Sequence, residues 1–196
     1  MELIQTPHSS INRGAITLLE AIIWFVLVLA VLAIAITQGG SLFNRNDANT
    51  EYSNAAELMT NTRTMLKTSG IYNFDAADAM TGALIQFGGV PANMTVVGTK
   101  SSGNAKLQNL WGGAVTVQPV ATAGGQKSSF SLTYAAVPQE ACITLALKLS
   151  SAPSVVTTLV NGTSTDGPIT ANAIGAQCTA DKGSVGQNIL TFTSNT

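Results

Sequence analysis

The chain has 196 residues, enough for one domain of ordinary size plus an anchoring segment, and its nine Lys and Arg against ten Asp and Glu leave a net charge of -1. The basic residues are spread singly, which excludes the cationic footprint that nucleic-acid binding requires. Two cysteines and one histidine, His8, are too few ligands for a Cys/His metal site, so neither a metal nor a cofactor is expected.

Residues 1–15 are polar, contain Pro7 and the pair Ser9-Ser10, carry Glu2 and Arg13 as formal charges, and lack helical periodicity; they read as a leader. From Ile16 to Thr37 there is one charge, Glu20, at the edge of a run that is entirely apolar from Ala21 to Ile36. At 1.5 Å per residue this stretch is about 33 Å long, sufficient to cross a hydrocarbon core. A carboxylate at the mouth of such a helix is costly unless a specific partner neutralises it, so Glu20 is a candidate functional residue. Ala33-Ile34-Ala35 supplies an Ala-x-Ala, which leaves a cleaved secretory signal as one alternative, and a plain membrane anchor with Glu20 at the interface is another.

Gly39-Gly40 stand at the outer end of the run. Each costs about 1 kcal/mol in a helix interior relative to Ala, so a long helix would bend or break first there. Helical spacing resumes over Asp47–Thr68, with Tyr52, Ala55, Ala56, Met59 and Leu66 expected on the inward face and Glu51, Arg63 and Lys67 outside. Gly70 is the expected stop. Continuation through the glycines gives one element from Ile16 to about Ser69, roughly 80 Å if fully helical.

A second helix is predicted at about Asp75–Phe87, with Asp75 as cap, Asp78 in the first turn and Gly88-Gly89 closing it. Strands are predicted at Met94–Val97, Ala114–Val117, Ser129–Tyr134 and Ile189–Thr193, separated by turns such as Ala123-Gly124-Gly125. Pro138 to Leu147 reads as a helix with proline at its start and Cys142 in its second turn. If Cys142 and Cys178 pair, the bridge closes a loop of about 37 residues, contributes roughly 4 kcal/mol and implies an oxidising compartment; two free buried thiols are the alternative.

The segment Gly14-Ala15-Ile16-Thr17-Leu18-Leu19-Glu20, followed by the apolar helix, resembles the prepilin cleavage and assembly motif of type IV pilins, and Ile-Thr-Leu-Leu-Glu is similar to the type IVb group. Overall length, Leu110-Trp111-Gly112-Gly113 and the stretch from Pro138 to Cys142 resemble PilS-type thin-pilus subunits and toxin-coregulated pilins. The resemblance implies an α+β fold in which a long N-terminal helix is the spine, packed on an antiparallel sheet head whose C-terminal region is closed by a Cys142–Cys178 disulfide. It divides the chain into a leader (1–15), a transmembrane and filament-core helix (16–44) and a periplasmic, later extracellular head (45–196) with helix 45–69 as its spine.

In that family an inner-membrane prepilin peptidase cuts on the cytoplasmic side, usually after glycine, the new N-terminal residue is methylated, and the acid is the fifth residue of the mature chain. Counting back from Glu20 puts the cut at Ala15/Ile16 with Ile16 methylated. The alternative cut, Gly14/Ala15, keeps the glycine and moves Glu20 to sixth place. Glu20 would then pair with the free amine of an incoming subunit.

The implied function is a major type IVb pilus subunit. It is held in the inner membrane, assembled by the pilus machinery into an extracellular helical homopolymer, and serves adhesion, aggregation or conjugative mating contact. A minor pilin or secretion-system pseudopilin shares the same N-terminus, and a non-polymerising membrane-anchored binding module is a third class.

No enzymatic constellation stands out. His8 lies in the leader, which removes Ser-His and Cys-His pairs from the rest of the chain. Asp75 and Asp78 read as a helix start, and Gly112-Gly113 and Gly124-Gly125 match no phosphate-loop spacing. Trp111 is open to two readings, core anchor or surface contact. Asn93-Met94-Thr95 and Asn161-Gly162-Thr163 match a glycosylation sequon, which a bacterial export route leaves unused.

Overall fold

The computed structural model describes residues 13–195; within the first helix, side chains are described for residues 22–26, 28 and 29 and from 46 onward. Helix α1 runs Arg13–Leu66, so Gly39-Gly40 lie inside it. The chain divides into two units, Met1–Leu42 and Phe43–Thr196. Among the described residues no helix is long and apolar enough to cross a membrane, and most of the expected membrane segment, 16–44, lies outside the described side chains.

The second unit continues with α2 (Ala77–Gln86), β1 (Thr95–Val97), β2 (Lys106–Gln108), β3 (Ala114–Val120), β4 (Ser129–Val137), α3 (Gln139–Ser150), β5 (Val155–Val160), β6 (Thr163–Asp166), α4 (Ala171–Gln177) and β7 (Asn188–Ser194). The seven strands form one sheet in the order β1-β2-β3-β4-β7-β5-β6, and every pairing is antiparallel. The last strand is therefore central. β7 pairs with β4 through Leu132↔Phe192 and with β5 through Thr158↔Phe192, so it joins two parts of the sheet that are otherwise unconnected.

Alternation along the strands makes the sheet two-sided. Val117, Leu132 and Phe192 stand opposite one another in one row, and Val115, Tyr134, Leu190 and Val160 in the next; all are buried. The other face carries Thr116, Thr133 and Thr191 in register, with a 2.9 Å bond between the hydroxyls of Thr133 and Thr191. The apolar rows join a core with Ala48, Ala55, Leu58, Met59 and Leu66 of α1, Met80, Leu84 and Ile85 of α2, and Leu145 and Leu149 of α3. With the buried Glu51 and Thr62 the α1 set recurs at three- and four-residue spacing, one stripe of a helix. Two sequence expectations on that helix are corrected: Ala56 is exposed, and Glu51 is fully buried on the core stripe instead of pointing outward.

The α2 start also differs from expectation. Its N-cap is Ala76 with no side-chain cap bond, while Asp75 lies 3.7 Å from the Lys127 ammonium. Gly88-Gly89 do close it, their N–H groups donating to Ile85 and Leu84 carbonyls. Helix α3 begins after Pro138, and its first N–H, Gln139, donates 2.8 Å to Asp181 Oδ1, a cap supplied from more than forty residues downstream.

β2 covers only Leu107↔Val115 and Gln108↔Ala114 of β3, leaving the rest of that edge open. The Thr81 hydroxyl of α2 replaces a strand there: it accepts the Val117 N–H at 2.9 Å and donates to the Val117 carbonyl at 3.3 Å. Two residues on, Pro119 has no N–H to offer, so the edge presents little for another strand to pair with. Thr81→Val keeps the shape but leaves both Val117 groups unpaired in a buried setting. The expected cost is about 1–3 kcal/mol of head stability, measured by urea unfolding.

Candidate functional site

The assembly segment comes first. Gly14, Ala15, Ile16 and Glu20 lie on α1, but their side chains are outside the described residues, as are residues 1–12 of the expected leader. Just beyond Glu20, Ile22, Ile23, Trp24, Phe25, Val26, Val28 and Leu29 are each 50–66 % exposed. At about 100° per residue these positions go right round the helix, so it has no polar side to turn to water. A helix that is apolar all round is stable only inside apolar surroundings, hydrocarbon or other helices, and burying each large side chain contributes about 1.5–3 kcal/mol.

The head is held together by polar anchors at buried positions. Cys142 of α3 and Cys178, the residue after α4, form a disulfide, which removes the free-thiol alternative. Near it Asn188, the first residue of β7, is fully buried and uses its whole side chain. Its amide donates to the carbonyls of Val137 and Thr179, both at 2.9 Å, and its oxygen accepts from the Thr179 N–H at 2.6 Å and from Asn161 Nδ2 at 2.8 Å. The disulfide loop, the end of β4 and the β5–β6 hairpin therefore meet at one residue.

Glu51 is the second anchor. Its carboxylate accepts the Leu110 N–H at 2.6 Å and an Asn54 amide hydrogen at 3.2 Å, and the Tyr134 ring brings its hydroxyl beside it. The turn it holds is rigid in its own right. Asn109 Oδ1 accepts from the N–H groups of Trp111 and Gly113, its Nδ2 donates to the Ala135 carbonyl, and Gly113 is so close to the β4 backbone that a Cβ would lie 1.8 Å from Ala135 O. This explains the glycine that sequence reasoning could only exclude from a phosphate loop. Trp111 is half-buried and packs against the core, while its neighbour Leu110 is exposed.

Burial raises the Glu51 pKa above the ordinary carboxyl value; the bonds from Leu110 and Asn54 oppose the rise and nearby Asp47 adds to it. Tyr134 is raised well above its ordinary value, first by burial and then by the adjacent Glu51 charge. A third contact fastens the chain end: Arg63 of α1 donates to Asn195 Oδ1, and Asn195 in turn donates to the carbonyls of Ser154 and Pro153. On the α3 side Lys148 donates to Asn49 Oδ1 at 2.6 Å and lies 5.3 Å from the centre of the Tyr52 ring. The sequence signal for Glu51 was its place in the series 48, 51, 55 and 58, an acid in step with the apolar stripe.

Comparison with known proteins bears on the head. A family model described as PilS N terminal matches residues 45–195. The crystal structure of a type IVb pilin from Salmonella typhi is 38% identical, with a TM-score of 0.65 over 74% of this chain and 97% of that one. An NMR structure of the type IVb pilin PilS from Salmonella typhi is 37% identical, with a TM-score of 0.52 over 75% of this chain and 95% of that one. A search of curated proteins found no match.

The raised pKa of Glu51 sets the sign of a pH dependence. Its stabilising share is complete below the ordinary carboxyl range and is lost as pH rises through the raised folded-state value. Glu51→Gln removes that titration. The melting temperature of the Gln variant minus that of the wild type is expected to grow from the ordinary carboxyl range towards neutrality; a difference constant across that window would mean that Glu51 does not titrate there.

Proposed function

This chain belongs to the PilS family of type IVb pilins and is a pilus subunit, and from that premise we propose that it is the major structural subunit of its filament. Prepilin peptidase cuts it between Ala15 and Ile16, and Ile16 is methylated. Residues 16–44 hold it in the inner membrane until the assembly machinery transfers it to the pilus. There the same helix packs among parallel copies and the head, 45–196, is displayed outside the cell for adhesion, aggregation or mating contact. Members of the family are structural subunits, and no step of this reading calls for a cofactor.

The observation that carries it is the ring of exposed apolar side chains formed by residues 22–26, 28 and 29. Hydrocarbon covers them before assembly and neighbouring helices cover them afterwards, so one surface serves both states with little change in transfer free energy. Register is then left to the polar pair. The free amine created at Ile16 reaches the Glu20 carboxylate of a subunit already in place. In apolar surroundings a mismatched register leaves a buried charge unpaired, at a cost of about 3–5 kcal/mol.

Two measurements test the reading. Intact mass and N-terminal sequencing of sheared surface filaments are expected to give a chain beginning at methylated Ile16; a mass retaining residues 1–15 would sink it, and a chain beginning at Ala15 would move the cut by one bond. Glu20→Ala is expected to be processed and inserted normally but to give far fewer filaments by electron microscopy. Wild-type filament yield from that variant would remove the pairing from the mechanism.

A further inference from the structure

The turn between β5 and β6 is Asn161-Gly162, the tightest kind of hairpin connection, with φ of +51° and +87°. Both residues are exposed. An asparagine followed by glycine is chemically reactive, because without a side chain at the next position its backbone nitrogen can approach the asparagine side-chain carbon. In this fold that side chain is not free. Its Nδ2 donates to the Gln177 carbonyl and to Asn188 Oδ1, both at 2.8 Å, and its Oδ1 accepts the Ile189 N–H at 2.9 Å. The hairpin tip is thereby pinned to the chain beside Cys178 and to β7.

We propose that Asn161 is a self-modification site which the fold holds in check and whose product cannot re-form the same contacts. When the side chain is released, the Gly162 nitrogen bonds to Asn161 Cγ and loses its proton. The Cγ–Nδ2 bond breaks and ammonia leaves. Solvent water then opens the five-membered imide at either carbonyl, giving aspartate or isoaspartate. No oxidant or cofactor is required.

The consequence follows from the partners. A carboxylate at position 161 faces two acceptors, Gln177 O and Asn188 Oδ1, where the amide had donated to both; of the amide nitrogen's partners only the Thr179 hydroxyl, at 3.4 Å, has a hydrogen to turn towards it. Asn188 cannot turn over to offer hydrogens, because its own amide is committed to Val137 O and Thr179 O, which need donors. Opening at the hairpin is therefore followed by a covalent change that prevents closing, a one-way step in the disulfide-bounded region of each subunit. The inference concerns the head alone and does not depend on how the subunit is processed or assembled.

The experiment follows residue 161 in the full-length chain by peptide mass spectrometry, reading the mass gain of amide-to-acid conversion and separating aspartate from isoaspartate by fragmentation. The folded wild type in mildly alkaline buffer is expected to react at least about tenfold more slowly than the same chain in urea. Asn188→Ala is expected to speed the folded-state reaction about two- to tenfold, the worth of the one holding bond that it releases. Equal rates for folded and urea-unfolded wild type would overturn the proposal. As a second variant, Asn161→Asp supplies the product directly. It is expected to melt at a lower temperature and to be cut faster by protease between residues 171 and 187, whereas wild-type melting and cleavage would mean that the product re-seats and the step is not one-way.

Discussion

The head depends on where the last strand goes. β7 lies between β4 and β5, so the ladder from β1 to β6 is continuous only through residues 188–194, the last strand in the chain. Without it β4 and β5 would each expose an unpaired edge and Phe192 and Leu190 would be missing from the core, and hydrogen bonds fix it at both ends. Asn188 spends every hydrogen-bonding group on it at one end; at the other, the hydroxyl of Ser129 donates at 2.6 Å to the Ser194 carbonyl. The disulfide shortens the search by tying the region before β7 to α3 in the unfolded as well as the folded chain.

The same logic accounts for the polar groups inside. Each polar anchor, buried or at the rim, joins segments that are distant in sequence. Glu51 joins α1 to the 109–113 turn, Thr81 joins α2 to the open edge of β3, Asp181 caps α3, and Arg63 holds the chain beside Asn195. Apolar burial is non-directional and tells these segments to be inside; a hydrogen bond with an unsatisfied alternative tells them which neighbour to have. In a domain rich in Gly, Ala, Ser and Thr, whose apolar side chains are small, that division of labour falls more heavily on the polar contacts. A pilus subunit must also present one shape in every copy, and rigid anchors of this kind fix the surface as well as the core.

Elements with strong local signals were readable. The long helix, the helix after Pro138 and the strands around 95, 115, 131 and 191 carry apolar periodicity or alternation that the backbone geometry enforces. β2 was missed because three residues carry no period, and α4 because Gly175 and a run of small residues weaken it. β5 and β6 were missed although Asn161-Gly162 between Val155–Val160 and Thr163–Asp166 is the best short hairpin signal in the chain. Asp75 looked like a cap because an acid before a helix often is one; Lys127, which no local pattern links to it, competes for it.

By itself the sequence carries the expectation of an assembly segment, because an apolar run, an acid at its edge and the small residues before it are properties of consecutive residues and need no partner to be recognised. It also determined the α+β class and the pairing partners that the resemblance implied for Cys142 and Cys178. Only the tertiary structure decided that β7 is central, that Glu51 is inside and that Asn161, Asn188 and Asp181 close the C-terminal region. Those contacts join residues up to about sixty apart along the chain. A side chain's chemistry announces that it needs a partner, but only the folded backbone brings that partner within hydrogen-bonding distance.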